Sequence, residues 1–205
     1  GGVQLEGKTA FIGYDNSESQ ARVTALLSDG KSVEGLASGQ AGQVVLDTTP
    51  FYAESGGQAG DTGVLHANGA VFRVEDTVKN RDAFVHIGVL ESGSLSVGDS
   101  VSAQINEADR SATALNHSAT HIVHAALREV LGKHVTQKGS LVDPSRLRFD
   151  FSHYEGLTDD ELLSIENLVN EQIRLNEPVK TELMTPEQAT DAGAMALFGE
   201  KYGDE

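Results

Sequence analysis

The spacing of apolar residues changes at Asn106, and no single kind of secondary structure satisfies both halves of the chain. Up to about residue 105 the sequence runs in short apolar or alternating stretches, the pattern of half-buried strands. They fall at residues 8–12, 21–27, 42–46, 69–74 and 100–105. Turn signals separate them at Ser28-Asp29-Gly30, Ala67-Asn68-Gly69 and Val97-Gly98-Asp99. Gly88 to Gly98 reads as a loop. Many short strands with frequent glycine predict a small β-barrel or sandwich.

Beyond Asn106 the period becomes helical. Asn106 can cap a helix start, with Asp109 three residues on. Leu115, Ala119, Ile122, Ala126 and Val130 recur at helical spacing to about Leu131, and Gly132 is placed to end the helix. Two strands are expected at 134–142 and 146–153, joined by Asp143-Pro144-Ser145. A second helix opens with the capping box Thr158-Asp159-Asp160-Glu161, and Leu162, Ile165, Val169 and Ile173 form its apolar stripe. A strand at 179–184 and a short helix opened by Thr185-Pro186-Glu187-Gln188, ending near Gly193, complete the pattern. The expected fold class is α+β. An N-terminal small β-barrel module over 1–105 is followed by a two-layer α+β core over 106–205 with a mainly antiparallel sheet.

Composition narrows the function classes. A formal charge of −16 over 205 residues argues against a general nucleic-acid binder. One stretch departs from that balance. Arg110, Arg128, Lys133, Lys138, Arg146 and Arg148 stand against Glu129 and Asp143, a net +4 that suits phosphate at one place, or is simply a mixed-charge surface. Zero cysteine rules out a disulfide framework and fits a cytoplasmic protein. No apolar run approaches the roughly 18–20 residues that cross a membrane, and the first residues, Gly1-Gly2-Val3-Gln4, do not read as a signal peptide.

Asn116-His117-Ser118-Ala119-Thr120-His121 carries the most specific chemistry. His117 and His121 lie one turn apart on one helix face, which is how a helix offers two imidazoles to one zinc. Ser118 stands where a zinc protease of the His-Glu-x-x-His type needs its glutamate, so that class is disfavoured. His124 shares the face, either as a third ligand or as a packed core histidine. His153 ends an expected strand and could fold back toward the pair. Gln137, on a strand facing this helix, could orient a water or a carbonyl, and Lys138 on the opposite face could meet phosphate. The stretch from Thr49 through Gly56, Gly57 and Gln58 to Asp61 is rich in small residues, as a tight turn or a backbone close to a ligand requires. These residues leave two readings open: a metal-assisted hydrolase, or a non-catalytic binding module with an accessory barrel.

Three long motifs together say more. Asn116 to His121, Gln137-Lys138-Gly139-Ser140 and Arg148 to His153 resemble the editing domain of the alanyl-tRNA synthetases. Thr49 to Gln58 matches that family's glycine-rich motif, upstream in the same order, and Gly193 to Tyr202 is similar to the segment leading into its last zinc motif. The resemblance covers essentially the whole chain and is closest to the bacterial type, with free-standing editing proteins of the same domain, or a non-catalytic tRNA-binding module, as the alternatives. It implies hydrolysis of wrongly charged seryl- and glycyl-tRNA(Ala) at a zinc-dependent site, because synthetic sites discriminate poorly against such small differences. It further implies zinc ligation by His117 and His121 and a pocket role for Gln137. Thr49, Gly56, Gly57 and Gln58 are expected at the mouth of the site. Lys138, Arg146 and Arg148 are candidates for contact with the acceptor end of tRNA(Ala). The family's other two ligands come from a Cys-x-x-x-His motif with no counterpart here, so the expectation is a piece of a larger synthetase with weak or absent zinc. ATP and magnesium belong to a synthetic domain elsewhere in such a chain.

Overall fold

The computed structural model describes residues 3–176 and 185–191. These residues fall into two compact units. The first comprises residues 1–55 and 59–112, the second residues 56–58 and 113–205.

The first unit is a closed barrel. Its six strands are β2 (Glu18–Ser28), β5 (Ala41–Leu46), β9 (Ala83–Ser92), β8 (Ala70–Asn80), β7 (Gly63–Ala67) and β11 (Ser100–Ile105), in that order around the wall. Each pairs antiparallel with the next, and β11 returns to β2 with Ser100 opposite Arg22 and Gln104 opposite Glu18. Closure leaves the six-strand wall without an unpaired edge. Short pairs decorate the wall: β3 (Lys31–Val33) on β2, β4 (Gly35–Ala37) with β10 (Ser94–Ser96), and β1 (Ala10–Phe11) parallel to β6 (Thr48–Thr49). Alternation fills the interior: Val23, Leu26, Leu46, Leu65, Phe72, Val74, Leu90, Val101 and Ala103 are buried in one cluster. A second cluster, Leu5 with Leu27, Val45, Ala83 and Val85, forms under the N-terminal segment.

The expectation of a loop over Gly88–Gly98 is corrected. Residues 88–92 finish β9 and residues 94–96 form β10. Gly88 is a strand glycine, because a Cβ there would collide with the carbonyl of Arg73 on the neighbouring strand.

Two buried ionisable groups inside this unit are matched by hydrogen bonds. Asp61 is buried, and its Oδ2 accepts from the Tyr52 amide (2.8 Å) and from Nε (3.0 Å) and Nη2 of Arg110. The other Arg110 donors reach the carbonyls of Gly13 and Pro50, each at 2.7 Å. The Asp61 amide donates to the Tyr52 carbonyl (2.9 Å), so the two residues close the base of the glycine-rich loop. Arg110 therefore neutralises a buried carboxylate within its own unit. His86 is fully buried on β9. Its Nδ1 lies 2.8 Å from the Val44 carbonyl, which only accepts, so Nδ1 carries the proton and Nε2 accepts from Thr49 Oγ1 at 2.7 Å.

Helix α1 (Glu107–Leu131) starts and stops where the residues dictate. Asn106 Oδ1 accepts from the Asp109 amide, and the Gly132 amide donates to Arg128. The Asp109 carboxylate does not complete the box. It accepts from Thr62 Oγ1 at 2.8 Å.

The second unit packs α1 from Thr113 onward with the hairpin β12 (Thr136–Val142) and β13 (Leu147–Ser152), and with α2 (Asp159–Leu175). Ala126, Leu127, Val135 and Ile165 are its buried centre, flanked by Val123, Val130, Phe149, Phe151, Leu168 and Val169. Thr158 and Glu161 form the reciprocal capping box of α2, and Thr185 and Gln188 do the same for α3 (Pro186–Asp191). Two apolar stripes are narrower than their spacing predicts. Leu115 is 73% exposed on α1, and Leu162 and Ile173 are exposed on α2. The strand expected at 179–184 and the end of the last helix near Gly193 lie outside the described residues.

Two tests follow from the barrel's polar groups. Arg110→Met leaves the Asp61 charge buried without its partner and is expected to cost about 3–5 kcal/mol in urea unfolding, part of it restored by adding Asp61→Leu. Burial pushes the His86 imidazole down to about 4 from an ordinary 6.5. The unfolded chain then binds the extra proton first as pH falls. Stability is full above about 6.5 and drops by about 3 kcal/mol by pH 4, a loss that the difference between wild type and His86→Gln isolates in pH-dependent melting.

Candidate functional site

The candidate site belongs to the second unit. One face of α1 carries His117 and His121, whose Nε2 atoms approach to 3.0 Å with ring centroids 4.8 Å apart. One ring nitrogen donates and the other accepts in such a contact. A tetrahedral zinc with nitrogen ligands at about 2.0–2.1 Å spaces them roughly 3.3 Å apart, so the pair fits two of four positions. Among the described residues no group of three or more histidine, aspartate or glutamate side chains is placed to hold a metal.

Behind this pair, α1 faces the hairpin. Asn116 Nδ2 donates to the Asp143 carbonyl (2.9 Å), fixing the hairpin's turn against the helix. The turn is itself ordered, since Asp143 Oδ1 accepts from the amides of Ser145 and Arg146 and from the Ser145 hydroxyl. Those bonds, the Ser145 hydroxyl first, hold the Asp143 carboxyl below its ordinary range. At the other end Arg128 Nη1 donates to the Val135 carbonyl.

The hairpin is not a regular ladder. Gln137 stands opposite Phe151 and Gly139 opposite Asp150, leaving Lys138 as the extra residue of a bulge. The bulge changes the side-chain parity. Gln137 and Ser140, normally on opposite faces, share the face of Phe149 and Phe151 that packs on α1. Gln137 is 8% exposed and its Oε1 has no hydrogen-bond partner. Lys138 is exposed.

The glycine-rich segment lies along the other edge of β12. Gln58 bridges Val142 in the parallel sense, the Val142 amide donates to the Gly57 carbonyl (2.8 Å), and Ser140 Oγ donates to the Gly56 carbonyl (3.4 Å). Gly57 has φ +84°, and a Cβ there would lie 2.5 Å from the Ser140 carbonyl oxygen. Only glycine fits.

The remaining sequence candidates fall as follows. Thr49 is fully buried in the first unit, and its hydroxyl serves His86 and the Phe51 amide. Arg146 and Arg148 are exposed and paired with Asp143 (3.5 Å) and Asp150 (3.2 Å). Such exposed pairs are weak enough to exchange for phosphate. His153 pairs elsewhere than with His117 and His121. Its Nδ1 lies 2.8 Å from Nε2 of His134, and Tyr154 stacks on His134 at 4.5 Å. His124 is 3% exposed against Phe149, with the Val135 carbonyl near its ring. Burial, then the charge of Arg128, lowers its pKa below the ordinary value. Its place at i+7 from His117 was legible. Its packing on Phe149 was not.

A histidine pair on a helix, a buried glutamine and a glycine strap along one small sheet all belong to the second unit. The chain belongs to the class II tRNA synthetases (A), whose family model matches residues 2–109. It is similar to alanine–tRNA ligases: 60% identical over 201 residues to that of Saccharophagus degradans, 58% over 198 to that of Halorhodospira halophila and 56% over 202 to that of Pseudomonas entomophila. These matches cover 97–98% of the chain but 23% of each relative's length. Among the described residues no helix is long and apolar enough to cross a membrane.

The strap gives a direct test. Gly57→Ala forces a side chain into a left-handed backbone against a carbonyl and is expected to cost about 2–4 kcal/mol. Hydrogen exchange at the Val142 amide should accelerate well before the barrel amides change, and unchanged protection at Val142 contradicts the strap.

Proposed function

We propose that the second unit is an editing site. It hydrolyses the ester linking serine or glycine to tRNA(Ala), within a cytoplasmic protein that elsewhere uses ATP and magnesium to attach alanine to the same tRNA. The observation that carries this reading is the convergence of His117 and His121 Nε2 at 3.0 Å in a unit that also buries Gln137. The names of the relatives support the tRNA and the amino acid, since those proteins are alanine–tRNA ligases.

The residues divide the work. His117 and His121 would hold zinc through their Nε2 atoms. When bound, the zinc supplies a fixed positive charge that polarises or anchors the aminoacyl group. Gln137 orients the aminoacyl group or the attacking water with its amide. Gly56, Gly57 and Gln58 present backbone at the rim, close to the sheet because no side chain intervenes. Lys138, Arg146 and Arg148, all exposed, meet backbone phosphates of the acceptor end. Hydrolysis splits the ester into a free amino acid and the 3′-terminal hydroxyl of the tRNA, and water supplies the proton and hydroxyl that balance it.

Two imidazoles bind zinc less tightly than four ligands. Dialysis against a chelator should leave well under one zinc per chain, and stoichiometric chelator-resistant zinc would falsify the two-ligand account. Deacylation of seryl-tRNA(Ala) is expected to be much slower for this chain than for a longer one that adds a Cys-x-x-x-His motif. His117→Ala should abolish what remains, while equal rates in the two lengths would sink the assignment.

A further inference from the structure

Tyr154 is 84% exposed, yet its ring is held in place. It lies on the face of His134, with ring centroids 4.5 Å apart and planes 20° from parallel. His134 is fixed in turn by His153. Nε2 of the first meets Nδ1 of the second at 2.8 Å, one donating and the other accepting. An imidazole N–H lies in its ring plane, and these planes are 21° apart with centroids at 5.0 Å, so the two imidazoles meet edge to edge and nearly flat. The three rings stand at the open end of the β12–β13 hairpin, just beyond the last cross-strand pair, Thr136 and Ser152, whose hydroxyls are 2.8 Å apart.

The fold gains little from Tyr154, because a ring this exposed buries little apolar area. One face of the ring lies on His134, so the exposed area is its other face and its edge. The stack therefore presents to solvent an aromatic face that is already ordered, and a flat ligand loses less freedom in binding to it. The surrounding charges narrow the ligand. Lys133, beside His134 in sequence, and Lys138 on β12 are exposed. Glu155 is exposed next to Tyr154, and Glu161 is bonded to the Thr158 amide within electrostatic reach of His153. Those carboxylates repel a phosphate on the rings themselves but not a neutral, flat group. An unpaired nucleotide supplies both parts, a base for the ring and a phosphate for a lysine.

We propose that Tyr154, braced by the His134–His153 pair, is a stacking platform for an unpaired nucleobase of RNA, with Lys133 taking the adjoining phosphate. The platform tolerates any base, because every base has a π face. It differs from the contacts given to Lys138, Arg146 and Arg148, which read charge alone. The choice of RNA as partner rests on the reading of the second unit as a site for tRNA.

The chain has no tryptophan, so Tyr154→Trp introduces a single fluorophore at a position too exposed to disturb the fold. Hexaadenylate at low ionic strength should quench it. A poly(A)·poly(U) duplex at the same nucleotide concentration, its bases already paired and stacked, should quench it far less. No quenching by hexaadenylate, or quenching by the duplex that equals it, overturns the platform. In direct binding, Tyr154→Ala should weaken hexaadenylate roughly fivefold or more and leave the salt dependence unchanged, because stacking releases no counterions. Tyr154→Phe should bind as the wild type does, and unchanged affinity in Tyr154→Ala contradicts the proposal. These measurements need no charged tRNA. Quenching without hydrolysis of seryl-tRNA(Ala) keeps the platform and removes the editing reading, whereas hydrolysis without quenching does the reverse.

Discussion

The Asp61–Arg110 pair is the constraint on which the first unit depends. A buried carboxylate is unfavourable unless its charge and lone pairs are met, and here one guanidinium and one backbone amide meet them. The same guanidinium reaches the carbonyls of Gly13 and Pro50, so four chain segments distant in sequence are fixed by one planar fork. Arg110 sits in the first turn of α1. The start of the histidine helix is thereby tied to the base of the glycine-rich loop through bonds within the barrel unit. A lysine would supply the charge but not the fork.

Much of the fold is readable from local chemistry, because its elements end where single residues make them end. Asn106 and Gly132 bound α1, and Thr158 with Glu161 opens α2, each through a bond that the residue types allow almost alone. What local chemistry misreads is glycine with two meanings. Gly30 marks a turn, whereas Gly88 lies inside β9, where its lack of a side chain admits the Arg73 carbonyl. Sequence spacing cannot separate these, since the difference is made by a strand fourteen or more residues away. The apolar stripe of α2 fails for a related reason. Helical spacing says which residues share a face, and the breadth of the partner decides how many are covered.

The site divides along the same line. His117 and His121 are legible because i and i+4 are fixed by the helix itself. Gln137 was legible as a strand residue facing that helix. The bulge at Lys138 was not, yet it brings Ser140 onto the same face and so toward the carbonyl of Gly56. Gly57 reads as a turn glycine in sequence, and its requirement comes from Ser140, some eighty residues on. Long-range contacts of this kind carry no local mark.

The two buried histidines show how structure and function part company within one chain. In the barrel, His86 uses both nitrogens, and its burial is explained by Val44 and Thr49. Nothing is left over for chemistry, which makes it a structural residue despite a strongly displaced pKa. In the second unit, His124 is buried against Phe149 near the Val135 carbonyl, and Gln137 Oε1 is buried without a hydrogen-bond partner. Consistent folds satisfy such groups, and the exceptions gather where a ligand or a mechanism makes the difference. Perturbed ionisation alone would have selected His86. The unmatched hydrogen bond selects Gln137 Oε1 instead, in the unit that also holds His117 and His121.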